Sequence, residues 1–95
     1  MSHPPQSDFL PALQAVIVEA RQLGLVEAAD RLEAHLKVTC TTGTEFLGEC
    51  GLAILAFRKA TKGRLPRPLR RRLDACQRTI AKVWPRFHPW FSWLL

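Results

Sequence analysis

Long apolar runs are missing from this sequence. The longest, Leu52 to Phe57, falls far short of the roughly 20 residues that a membrane-crossing helix needs, so a helical span is excluded. Cysteines are few and odd in number. Cys40, Cys50 and Cys76 include no CxxC pair, which argues against a disulfide framework. No cysteine or histidine pair has zinc-finger spacing, so a metal site using His35 or His88 is not expected. The thiols read instead as small buried hydrophobes. Acidic side chains are also scarce, eight against fourteen Lys and Arg, and no carboxylate dyad stands out among them. His3, His35 and His88 are scattered, and no Ser or Cys sits in a nucleophile turn. The expectation is a non-enzymatic chain without a cofactor, with an uncharacterised enzyme kept as a third reading. The first ten residues lack Lys and Arg, and Glu19 and Arg21 interrupt the first apolar run, so no secretory leader is expected and a cytoplasmic location is the default.

What is present suits a packed helical domain. Apolar residues make up 47% of 95, which argues against disorder and for one domain. A domain of this size buries roughly two-thirds of its unfolded surface, enough to hold a core without metal or disulfide. Residues 1–7 are polar and proline-rich and read as a flexible lead-in, with a single helical domain over 8–95. Asp8 is a candidate N-cap, with Pro11 tolerated in the first turn. Leu10, Leu13, Ile17, Ala20 and Leu23 then recur at helical spacing, and Gly24 ends the run. A second stripe of Leu25, Ala28, Ala29, Leu32 and Leu36 follows at once, so the first two helices form an αα-hairpin. Glu33 and Lys37 stand in the favourable i,i+4 order.

Thr42 and Glu45 read as a capping box for a third helix from about Gly43 to Lys62. That helix is apolar nearly all round, the pattern of a central helix. Gly48 and Gly51 leave a flat strip on it where another helix, or a second copy of the chain, could approach closely. Two glycines cost about 2 kcal/mol of helix propensity against alanine, which implies a packing reason. A fourth helix carries Leu69, Leu73, Cys76, Ile80 and Val83, and Pro85 stops it. Trp84, Phe87, Trp90, Phe91 and Trp93 crowd the C-terminus and are too many to leave wet, so the tail is expected to fold back on the bundle. No strand-like alternation or internal repeat is present. The fold class is therefore all-α: a compact four-helix bundle built from an αα-hairpin and two further helices.

Charge divides the chain in two. Residues 1–50 carry a net −4 and residues 51–95 a net +10. Within the second half, Arg58, Lys59, Lys62, Arg64, Arg67, Arg70, Arg71 and Arg72 place eight bases in fifteen residues with no acid. The cations at the end of the third helix favour its dipole, but the arginines opening the fourth oppose theirs. This run is the candidate partner-binding site. An acidic protein surface is the leading expectation, nucleic acid the alternative, and anionic lipid a lesser one. A helix-turn-helix is not expected: Ala20, Gly24 and Leu25 match its turn, but Asp30 and Glu33 fall where that motif requires apolar residues, and Glu27, Asp30 and Glu33 would face phosphate.

The run Thr41-Thr-Gly-Thr-Glu-Phe-Leu-Gly-Glu-Cys50, after Ala29-Asp-Arg-Leu32, resembles a pattern in small helical bacterial proteins, some of which resemble toxin-neutralising immunity proteins. The resemblance implies a binding rather than a catalytic role and carries no functional residue over. Many immunity proteins are acidic, so the basic half of this chain departs from that pattern and implies an acidic toxin face.

Overall fold

A computed structural model describes residues 5–37 and 43–89, with side chains from Phe9 onward. Four helices follow in order: α1 (Pro5–Gln22), α2 (Val26–Leu36), α3 (Gly43–Ala60) and α4 (Arg67–Ala81). A 3₁₀ turn, Pro85–Phe87, follows α4. Helix α1 packs on α2 and α4, and α3 packs on the same two, so the four surround one core. The radius of gyration is 12.5 Å, the value a folded chain of this length should have.

The first helix starts earlier than its Asp8 cap suggests. Pro5 is its first residue, a position where the missing proline amide has no helical partner to lose. Pro11 therefore lies inside α1 with its ring exposed, and the helix tolerates the one hydrogen bond it removes. The early start brings Phe9 into the core, and the buried stripe becomes Phe9, Leu13, Val16, Ile17 and Ala20. Leu23 falls past the end of α1 and is 52% exposed.

The turn into α2 follows the sequence closely. Gly24 adopts φ +85°, where a side chain would be strained. The Leu25 amide donates to the Ala20 carbonyl at 2.9 Å and the Gly24 amide to that of Arg21 at 3.0 Å. These two bonds make a Schellman cap. The hairpin also redirects Glu33. Its carboxylate accepts from both terminal nitrogens of Arg21, at 3.1 and 3.3 Å, rather than pairing with Lys37. Arg21 reaches Asp30 as well, at 2.8 Å.

Helix α3 forms a wall of the bundle, not its centre. Leu47, Cys50, Ala53, Ile54 and Phe57 face the core, while Leu52 is 45% exposed. Its extra apolar face meets the C-terminal turn. A β-carbon on Gly51 would lie 2.7 Å from the Phe87 ring, and one on Gly48 would lie 3.3 Å from the indole nitrogen of Trp84. The glycine strip thus receives two aromatic side chains instead of a helix. With no side chain at Gly48, the indole Nε1–H reaches the Thr44 carbonyl one turn earlier, at 2.8 Å. Trp90, Phe91 and Trp93 lie outside the described residues, as do Cys40 and Thr42.

Helix α4 has the cleanest division of faces. Leu69, Leu73, Cys76 and Ile80 are buried as their spacing requires. Val83 lies beyond the helix end and is exposed. The described cysteines, Cys50 and Cys76, are both buried.

Candidate binding site

The eight-base run wraps the corner where α3 ends and α4 begins, and the fold sorts its cations into two groups. Three are engaged internally. Arg58, in the last turn of α3, donates through Nη1 to Asp74 Oδ1 at 2.9 Å and to Gln77 Oε1 at 2.8 Å. Arg64 folds back to the Ala60 carbonyl at 2.6 Å, covering an acceptor that the end of α3 leaves open. Arg72 pairs with Glu19 of α1 at 3.2 Å, joining the basic half of the chain to the acidic half.

The other five are Lys59, Lys62, Arg67, Arg70 and Arg71. All are exposed, and none is ion-paired to a described residue. The case of Arg70 shows why. Asp74 stands four residues on, the usual partner on a helix surface, but its carboxylate is taken by Arg58. No other acid belongs to α4, and its first turn has neither an acidic residue nor a side-chain cap. Arg67, Arg70 and Arg71 therefore project from a helix end whose dipole is also positive.

The turn between the helices shapes the surface under these cations. The Thr61 hydroxyl is buried and donates to the Phe57 carbonyl at 2.7 Å. Gly63 takes φ +82°, and the Arg64 amide closes the turn on the Thr61 carbonyl at 2.9 Å. Pro66 then caps α4 in an extended conformation. Between the two helices lies a shallow depression of about 340 Å³, lined by Arg58, Thr61, Lys62, Gly63, Leu65 and Arg70.

Gln77 is the residue that spacing alone passes over. It is fully buried, and its amide has one orientation that satisfies both ends: Oε1 toward Arg58 and Nε2 donating to the Phe87 carbonyl at 3.1 Å. Its signal in the sequence is positional. Gln77 lies four residues after Leu73 and three before Ile80, on the face of α4 that is otherwise apolar. Through it, Arg58 holds α3, α4 and the C-terminal turn together.

No group of three or more His, Cys, Asp or Glu among them is placed to hold a metal ion. Burial pushes the Cys76 thiol up to about 11, so it stays protonated and a poor nucleophile at neutral pH. No helix among the described residues is long and apolar enough to cross a membrane. No family model, curated protein or solved structure matches this chain.

Proposed function

We propose that this chain is a non-enzymatic binding module whose α3–α4 corner docks an acidic protein surface. The observation that carries the proposal is the set of five exposed cations, Lys59, Lys62, Arg67, Arg70 and Arg71, that have no ion-pair partner among the described residues. Exposed Pro66 and Pro68 alternate with the arginines, and half-buried Leu65 lines the depression beside them. Interleaved apolar and arginine surface suits a protein face, where arginine is enriched. The nucleic-acid reading draws on the same cations. An inhibitor or immunity-type role is the specific form that the sequence resemblance favours, within a cytoplasmic setting.

Affinity capture from the source cells tests the proposal, with the wild-type chain and an Arg67→Ala/Arg70→Ala/Arg71→Ala variant as baits. A protein held by the wild type through nuclease treatment and released by the variant is the expected result. Recovery that disappears on nuclease treatment would shift the assignment to nucleic acid. Identical recovery by both baits would remove the corner from the account.

A further inference from the structure

We propose that the depression between α3 and α4 is a subsite for a phosphate monoester borne by a side chain of the acidic partner, with Lys62 and Arg70 supplying its charge. The inference rests on the binding role proposed above and names the chemistry of one contact within it.

Charge complementarity selects the group. Arg58, Lys62 and Arg70 line the depression, and no carboxylate among the described residues does. Arg58 is already balanced by Asp74, at 2.9 Å. Lys62 and Arg70 therefore bring two positive charges without counter-ions among the described residues. A phosphate monoester carries about −1.5 to −2 at pH 7 and answers both. A single carboxylate or a backbone phosphodiester, with about one charge, leaves one cation uncompensated.

The surroundings fit the same group. The bonds from Arg58 Nη1 to Asp74 and Gln77 fix the plane of its guanidinium at the wall of the depression. A guanidinium so held still offers further N–H donors in a rigid fork suited to phosphate oxygens. Gly63 leaves the rim bare: nothing lies within 4 Å of where its β-carbon would be. Half-buried Leu65 supplies apolar wall for the stem of the incoming side chain. The volume of about 340 Å³ stands at the small end of ligand clefts, which run from roughly 300 Å³ upward.

The test compares a short glutamate-rich peptide carrying one central phosphoserine with its unphosphorylated twin, by fluorescence anisotropy. The wild type is expected to bind the phosphopeptide about tenfold tighter, the effect of one added charge-assisted contact. Arg70→Ala and Lys62→Ala are expected to abolish that ratio. Arg71→Ala, on the corner but outside the depression, should weaken both peptides by one factor and keep the ratio. Equal binding of the two peptides to the wild type would overturn the subsite while leaving the acidic-partner reading intact. No binding of either would overturn both. A phosphate preference seen only with a 5′-phosphorylated oligonucleotide would overturn the protein source.

Discussion

Phe87 lies against the bare backbone of Gly51, with its ring atoms 2.7 to 2.8 Å from where a β-carbon would stand. Gly51 is thereby a socket for the C-terminal turn, and its cost in helix propensity has a return in packing. Gly51→Ala would gain about 1 kcal/mol of propensity but must displace a buried ring, at a cost of about 1–3 kcal/mol. The expected result is a lower urea midpoint. Gly48→Ala meets the partly exposed Trp84 at 3.3 Å, which can yield by a few tenths of an ångström. Its midpoint should stay near or above that of the wild type. The opposite ranking of the two variants would contradict the placement of the turn.

Arg58 and Arg70 belong to one basic run but should respond differently to removal. Arg58→Met leaves the fully buried Gln77 oxygen without its donor, and such a loss costs about 1–3 kcal/mol. Arg70→Ala removes an exposed side chain without an ion-pair partner among the described residues, so stability should change by no more than about 0.5 kcal/mol. Thermal melts of the two variants check this. Equal destabilisation would mean that Arg70 also has a structural partner.

The acid limb of stability should report on the Arg21–Glu33 fork. The Arg21 guanidinium, hydrogen-bonded to Glu33, holds that carboxyl below its ordinary value of 4.5. Near that value the unfolded chain binds more protons than the folded one, so stability rises with pH. The contribution is present above 4.5 and is lost as pH falls through the lower folded value. Glu33→Gln should flatten this part of a urea-midpoint profile and leave the alkaline part unchanged. An unaltered acid limb would contradict the pairing.

Cys76 sets the opposite slope at high pH. Its thiol ionises near 9.0 when exposed and at about 11 in the fold, because burial disfavours the thiolate. Between those values the folded chain keeps a proton that the unfolded chain has lost, so stability falls as pH rises. Cys76→Ala should reduce that fall. In the native protein at neutral pH, Cys76 should resist iodoacetamide until denaturant is added; prompt labelling would contradict its burial.

Much of this architecture was legible because it rests on local rules. The α4 stripe Leu69, Leu73, Cys76 and Ile80 follows from helical spacing, and the Gly24 turn from the need for a positive φ. The misread parts depend on contacts distant in sequence. Leu23 fits the α1 stripe by period, yet the helix ends before it. Helix α3 looks central because it is apolar all round, but one of its faces is covered by Phe87, far along the chain. The candidate site divides in the same way. The run of eight bases is visible in sequence, whereas its separation into engaged and free cations depends on Asp74, Gln77 and Glu19, which only the fold brings to Arg58 and Arg72.

The central claim is that the free cations of the α3–α4 corner, and not net charge alone, make the binding surface. Titrating the unphosphorylated glutamate-rich peptide into two variants of equal net charge tests it most directly. Arg67→Ala/Arg70→Ala removes two corner cations, and Arg78→Ala/Lys82→Ala removes two exposed cations near the far end of α4. At about 0.7 kcal/mol for each exposed cation, the corner variant should bind about tenfold more weakly than the wild type. The far-end variant should stay close to the wild type. Equal weakening of the two would contradict the account.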